Sequence, residues 1–326
     1  MQNKYLQILT VYPYKLKIKS KERKDMEFDV EKERLRWALS DEEFEENANE
    51  IFGELALTAT PTEKPVYSLV GGQAGSGKSA LVSKRYRELQ GKAIIIDQDE
   101  LRPKFPRDKY RQIRENYTER QEFLILNPYI AKIIRAIITR AKKDGYNIIV
   151  ESALQDVDDF IRQMNGIREV GYRTELDILA VPELEANISM LTRYCYYIQK
   201  DGECRRNTRI NPQATENIMK SIRKISEANV TDDIKVYVRG DSLGELPKQI
   251  YSFLEAGKTE SPLEAFIRGK KESEERALRD FCNKYEEIER ILKPREDTIQ
   301  LEKLQQLKEQ YLKLYKGAKE SDDGNR

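Results

Sequence analysis

Eight consecutive residues, Gly72-Gln73-Ala74-Gly75-Ser76-Gly77-Lys78-Ser79, carry the most specific chemical pattern in the chain. They satisfy GxxxxGK[ST], in which glycines let successive backbone N–H groups converge on phosphate oxygens and a helix N-terminus adds partial positive charge. The spacing predicts that Lys78 bridges the β- and γ-phosphates of a nucleotide and that the Ser79 hydroxyl ligates Mg²⁺. With Ala80 in the first helical turn, residues 72–80 form the expected nucleotide-binding segment. Such a loop needs a strand before it and a helix after it. The chain offers both, in VYSLVG (66–71) and in a helical stretch over 78–90. The loop points to a nucleotide and leaves open what is done with it.

Acids and arginines suited to phosphoryl transfer follow. Asp97-Gln98-Asp99-Glu100 closes a second apolar run, AIIID (93–97), and Glu151 ends a third, NIIVE (147–151). The carboxyl ends of strands in an open parallel sheet face the ligand crevice, so these acids are expected beside the loop. A turn starting at residue 98 lets both aspartates reach it. Asp99 is read as general base and orienter of a substrate hydroxyl, Asp97 as part of the magnesium shell, and Glu151 as a ligand of substrate hydroxyls or a helper of the base. Capping of the following helix competes as a role for Asp99 and Glu151. Cations stabilise the charge that spreads over a transferring phosphoryl group. Arg193, and Arg205, Arg206 and Arg209 in DGECRRNTRINP, are the candidates; the latter segment reads as a lid over the triphosphate.

The composition removes competing chemistries. The 326 residues include no histidine, which excludes His-based triads, His-ligated zinc and imidazole acid–base work. Three cysteines (Cys195, Cys204, Cys282), with no CxxC, cannot all pair and fit a reducing cytoplasm. With 58 basic and 57 acidic side chains there is no net field to attract nucleic acid or anionic lipid, so a nucleic-acid partner is not expected. No apolar run approaches the roughly 20 residues of a membrane span, and the charged N-terminus lacks the features of a signal peptide.

The elements that would position these groups alternate. After the strands at 66–71, 93–97 and 147–151 come TELDILAV (174–181) and IKVYVR (234–239). Helices are expected over 109–144, in two pieces meeting at Asn127-Pro128 or just before, and over 156–170, 183–200 and 213–229. Short continuous apolar strands separated by helices predict an α/β fold, a doubly wound parallel sheet of about five strands with a P-loop kinase-like layout. Three regions are expected. Residues 1–58 form a basic arm, with seven bases and one acid in 1–24, and an acidic amphipathic helix at 41–57. Residues 59–255 form the kinase-like core, and 256–326 a helical hairpin. In the acidic helix, Ser40 and Glu43 have capping-box spacing, and Phe44, Ala48, Ile51 and Leu55 recur at helical intervals. In the hairpin, Leu278, Phe281, Tyr285, Ile288 and Leu292 precede Pro294, and Leu304, Leu307, Tyr311 and Leu314 follow it.

These segments together resemble the zeta toxin family of bacterial P-loop kinases. The likeness runs through LSDEEFEENANEIF, LVGGQAGSGKSAL, IIIDQDELRPKFP, KKDGYNIIVESAL, LDILAVP, TRYCYYIQ, TRINPQATE and IKVYVR, covering roughly 30–245. Zeta toxins are kinases that use ATP or GTP to phosphorylate UDP-N-acetylglucosamine at a sugar hydroxyl. The resemblance implies Lys78 and Ser79 as the family's Walker residues, Asp99 as base, Glu151 on the substrate side, and Arg193 and Arg209 as catalytic arginines, with Arg206 a contender for the second. It also implies a small helical antitoxin that blocks the nucleotide site. The sequence departs from the family on the acceptor side. After Glu151, Ser152-Ala153-Leu154-Gln155 stands where the family has a Gly-Thr pair and an arginine, and Phe105-Pro106 where it has His-Pro. The acidic helix and the C-terminal hairpin are two candidate surfaces for docking or self-inhibition, although simple packing on the core is the plainer expectation for each.

Two other readings compete with the sugar-nucleotide kinase. One is a P-loop kinase of another hydroxylated metabolite or an antibiotic. The other is a nucleotide-gated interaction protein that works through its helical tails.

Overall fold

The computed structural model describes residues 28–202, 204, 208, 210–240, 244–256 and 259–323. The basic arm at 1–24 and the arginines Arg205, Arg206 and Arg209 lie outside the described residues. Two helices open the chain, α1 (Val30–Arg36) and α2 (Asp41–Ala56). Then come β1 (Val66–Gly71), α3 (Lys78–Glu88), β2 (Ala93–Asp97), α4 (Arg107–Asn116) and α5 (Glu119–Asp144). The alternation continues with β3 (Asn147–Ser152), α6 (Val157–Arg168), β4 (Arg173–Leu179), α7 (Glu183–Lys200), α8 (Ala214–Ala228) and β5 (Asp233–Val238). Last are β6 (Lys248–Ser252), α9 (Pro262–Glu272), α10 (Glu274–Leu292) and α11 (Thr298–Asp323).

The strands form one six-stranded sheet in the order β2-β3-β1-β4-β5-β6. The five expected strands are all present and parallel. Their continuous apolar character follows from burial on both faces, because successive residues of a strand point to opposite sides. On one face Leu69, Ile148 and Val150 meet Ile133 and Ile137 of α5. On the other, Val70 and Ile149 meet Leu81 and Val82 of α3. Charge inside β4 is tolerated because it is paired: Glu175 and Asp177 face Arg85 of α3, Asp177 at 3.0 Å, and Lys235 bonds Glu175 at 2.6 Å.

The sixth strand was not expected. β6 runs antiparallel to β5 at the sheet edge, and its Lys248 and Gln249 are exposed, so it carries no apolar run to read.

A second correction concerns the long helical stretch. The break falls at Tyr117-Thr118, where Thr118 and Gln121 form a capping box, and α5 runs unbroken through Pro128. A proline inside a helix withholds the N–H owed to the carbonyl four residues earlier. Here that carbonyl, Leu124 O, accepts a 3.0 Å hydrogen bond from Arg34 Nε of α1, so the helix continues.

The acidic helix begins on the expected Ser40–Glu43 capping box and buries Phe44, Ala48 and Ile51 in the main core. The C-terminal apolar seam also forms. Phe281, Tyr285, Ile288, Leu292, Leu304, Leu307 and Tyr311 pack against Leu184, Ile188, Leu191 and Cys195 of α7. Leu314 stands outside that seam, partly exposed. Among the described residues, no helix is long and apolar enough to cross a membrane.

Candidate active site

The strand register puts the chemistry at one edge of the sheet. Val70 and Gly71 of β1 lie beside Glu151 and Ser152 of β3, and Asp97 of β2 is the register partner of Glu151. Three carboxyl ends therefore converge where the glycine-rich loop leaves β1.

The loop leaves little room for side chains. A Cβ on Gly75 would stand 2.1 Å from the Ala186 carbonyl oxygen, and one on Gly72 would stand 2.6 Å from Ser76 Oγ. Gly75 and Gly77 adopt positive φ, +75° and +94°, the left-handed region that costs glycine least. Gln73 Nε2 ties the loop to the end of β4 through a 3.0 Å bond to Val181 O. The Ser76 and Ala80 N–H groups donate to Gln73 O and Gly77 O, at 3.1 and 3.0 Å, turning the chain into α3. The first N–H groups of a helix have no intrahelical acceptor and favour an anion. Ser76 Oγ is buried and has no hydrogen-bond partner among the described residues. A tight cradle of N–H groups, an orphaned hydroxyl and a buried lysine fits a nucleotide's phosphates.

Lys78 is buried, with Nζ donating to Gln73 O at 3.2 Å and 3.8 Å from Glu151 Oε1. Burial holds its pKa below the ordinary lysine value, assisted by the positive charge of Arg193 and opposed by Glu151, Asp97 and Asp99. Ser79 Oγ donates to Glu151 Oε2 at 3.3 Å. Burial raises the Glu151 carboxyl, and the charges of Asp97 and Asp99 push the same way against Lys78. The predicted residues Lys78, Ser79, Asp97, Asp99, Glu151 and Arg193 thus share one electrostatic neighbourhood. Arg209, the second expected arginine, lies outside the described residues.

Asp97 and Asp99 divide the local work. The strand stops at Asp97, and one turn of helix follows at Gln98–Leu101. Asp97, rather than Asp99, is the cap: its Oδ1 accepts the Asp99 N–H at 2.8 Å. The Asp99 carboxylate pairs with Arg102, whose Nη2 donates to Oδ1 at 2.7 Å. Arg102 lies over the Phe123 ring, 5.1 Å from its centroid, which fixes its fork. Mg²⁺ is commonly held by one or two carboxylates or hydroxyls together with phosphates and water, so Ser79 and Asp97 are an adequate protein contribution.

Sequence reasoning missed Arg102, Glu185 and Arg239. Arg239 directly follows β5, so the strand-end rule that found Asp97 and Glu151 applied to it as well. Its Nε and Nη2 donate to Ser76 O and Gly75 O at 2.9 and 2.7 Å, holding the loop from behind.

Beside the loop a cleft opens between the segment after β3 and the first turns of α7 and α8. Five carboxamides line it: Gln73, Gln155, Asn187, Asn211 and Asn217.

The mostly parallel sheet, the loop and the strand-end acids define a P-loop kinase fold. Within that class the Zeta toxin family model matches residues 49–244, more than half of the chain, and the protein belongs to the zeta toxin family. It is 28% identical over 203 residues to Toxin zeta of Streptococcus pyogenes, covering 62% of this chain and 70% of that one. It is 26% identical over 206 residues to Toxin PezT of Streptococcus pneumoniae serotype 4, covering 62% and 80%. A solved structure from the PezAT chromosomal toxin-antitoxin system of Streptococcus pneumoniae has the same fold, with a TM-score of 0.65 at 20% identity. That similarity covers 78% of this chain and 98% of the other.

Proposed function

We propose that the protein is a kinase that transfers the γ-phosphate of ATP or GTP to a hydroxyl of a sugar nucleotide, with UDP-N-acetylglucosamine the first candidate. It acts in the cytoplasm as the toxin of a toxin-antitoxin pair. The observation that carries the reading is the meeting of Lys78, Ser79 and Glu151, with Asp97 the register partner of Glu151, at the carboxyl ends of β1, β2 and β3.

The loop from Gly72 to Ala80 holds the triphosphate, and the Lys78 ammonium bridges its outer phosphates. Ser79 and Asp97 would hold Mg²⁺, which when bound would supply neutralisation of the charge on the transferring phosphate. Asp99, steadied by Arg102, orients the acceptor hydroxyl and takes its proton as the oxygen bonds to the γ-phosphorus. The bond from that phosphorus to the β–γ bridging oxygen breaks, and the nucleoside diphosphate leaves. Arg193, with Arg209 as its expected partner, stabilises the charge on the equatorial oxygens. Glu151, hydrogen-bonded to Ser79, orients that hydroxyl and borders the acceptor.

The acceptor side supports a second reading within the same chemistry. Ser152-Ala153-Leu154-Gln155 stands after Glu151 where the family carries a Gly-Thr pair and an arginine, and the cleft that Ala153 and Gln155 line is rich in carboxamides that both donate and accept. Such a surface suits an uncharged, hydroxyl- or amide-bearing ring, so another hydroxylated metabolite is the alternative acceptor. Family membership and the toxin-antitoxin setting of the PezAT relative support a small protein partner that restrains the nucleotide site. Incubation with Mg-ATP or Mg-GTP and UDP-N-acetylglucosamine, with mass analysis of the sugar nucleotide, tests the reading. A phosphorylated sugar is expected; hydrolysis with no phosphorylated acceptor, in this mixture and in a metabolite extract, would refute it.

A further inference from the structure

We infer that Arg239 is a positioning residue for the phosphate loop, and that Glu185 and Arg276 extend this function to the C-terminal helix α10. The inference rests on the loop binding a nucleotide, as proposed above.

The peptide plane explains what Arg239 can do. A trans peptide points its carbonyl and the following N–H in opposite directions. Anchoring Gly75 O therefore orients the Ser76 N–H, which closes the turn on Gln73 O at 3.1 Å. Anchoring Ser76 O orients the Gly77 N–H away from the guanidinium. The planar fork of arginine suits two neighbouring carbonyls, whereas a lysine ammonium offers no fixed fork. The fit is close, since a Cβ on Gly77 would stand 3.1 Å from Arg239 Nε.

Arg239 is itself held. Its Nη1 donates to Glu185 Oε1 at 3.1 Å and to Ser189 Oγ at 3.0 Å, both on α7. Glu185 is 1% exposed, and it shares its carboxylate with a second arginine, the buried Arg276 of α10. Arg276 Nε donates to Oε1 at 3.2 Å, Nη2 to Oε2 at 3.3 Å, and Nη1 to the Arg239 carbonyl at 3.0 Å. Two arginines around a buried glutamate are a poor source of stability compared with apolar packing. Its geometry instead locks one guanidinium against the loop. Arg276 lies beyond the segment matched by the family model, so α10 contributes to the nucleotide site from outside it.

The test uses the full chain and Mg-ATP, measuring Kd by calorimetry, KM for nucleotide and acceptor, kcat, and Tm with and without nucleotide. Arg239→Met is expected to weaken nucleotide binding at least about tenfold, the scale of losing charged hydrogen bonds. Arg239→Lys should recover part of that loss and keeps the test usable if the Met variant does not fold. Arg276→Met should raise the nucleotide KM ~3–10-fold and leave the acceptor KM unchanged, although Arg276 bonds no loop atom. Tyr172→Phe, which loses buried hydrogen bonds to Ala141 O and Tyr146 O, is the control for destabilisation alone. Folded Arg239 and Arg276 variants with wild-type nucleotide affinity would overturn the inference while leaving the proposed kinase intact. The same holds if their affinity losses only match that of Tyr172→Phe at equal loss of Tm. A wild-type chain that binds no nucleotide would overturn the kinase reading, and this inference with it.

Discussion

The Ser79 hydroxyl donates to the Glu151 carboxylate at 3.3 Å, which joins the last residue of the phosphate loop to the end of a neighbouring strand. This relationship revises the expected division of the site. Besides the acceptor-side role proposed for it, Glu151 meets both polar side chains of the Gly-Lys-Ser segment and shares their charge balance.

The first consequence is a pH dependence of stability. Burial raises the Glu151 carboxyl above its ordinary 4.5. The folded chain therefore keeps a proton that the unfolded chain releases, and stability falls as pH rises from 4.5 to the raised folded value. Glu151→Gln removes this titration. Melting curves should coincide below the window, and the variant should be the more stable above it. A variant less stable than wild type at neutral pH would contradict the burial argument.

Two glycines separate backbone strain from crowding. Gly75 and Gly171 both have positive φ, +75° and +89°, but only at Gly75 would a Cβ meet backbone, 2.1 Å from Ala186 O; at Gly171 nothing lies within 4 Å. Gly171→Ala should cost about 1–2 kcal/mol, the left-handed penalty. Gly75→Ala should cost at least ~2 kcal/mol more by denaturant unfolding, and should lose nucleotide binding. Equal costs would remove the crowding argument.

Arg34 and Pro128 should be energetically coupled. Arg34→Ala leaves Leu124 O without its 3.0 Å donor and is expected to cost ~1–2 kcal/mol. In a Pro128→Ala background the restored N–H takes that carbonyl, so the same change should cost less. A double-mutant cycle with no coupling would show that the two residues act independently.

These cases also indicate what could be read from residues alone. The five parallel strands were legible because both faces are buried, so Val, Ile and Leu run without interruption. β6 was not, since its exposed Lys248 and Gln249 sit at an edge. The helix break was misassigned to Asn127-Pro128 because a proline normally ends a helix, and only the distant Arg34 lifts that restriction. Asp97 and Glu151 followed from strand ends, whereas the role of Arg239, at an equivalent strand end, depends on its reach to two loop carbonyls, which no spacing in the sequence indicates. The Asp97 cap and the Asp99–Arg102 pair depend on backbone geometry and have no periodic signature.

Arg193 is expected to act on the reaction rather than on binding. Its charge reaches Lys78, on α3, from the middle of α7. Arg193→Ala should lower kcat by roughly 10²–10³, the scale of removing a charge-stabilising group, with nucleotide Kd changed less than about threefold. Parallel losses in Kd and kcat would assign it to ground-state binding instead.

The most direct test compares wild type with Asp99→Ala in Mg-nucleotide and UDP-N-acetylglucosamine, following phosphorylated sugar and nucleotide affinity in the same samples. Phosphorylated product from wild type, a drop of ~10²-fold or more in the variant, and unchanged nucleotide binding are expected. Transfer at the wild-type rate by Asp99→Ala would contradict the central claim that this carboxylate prepares the attacking hydroxyl.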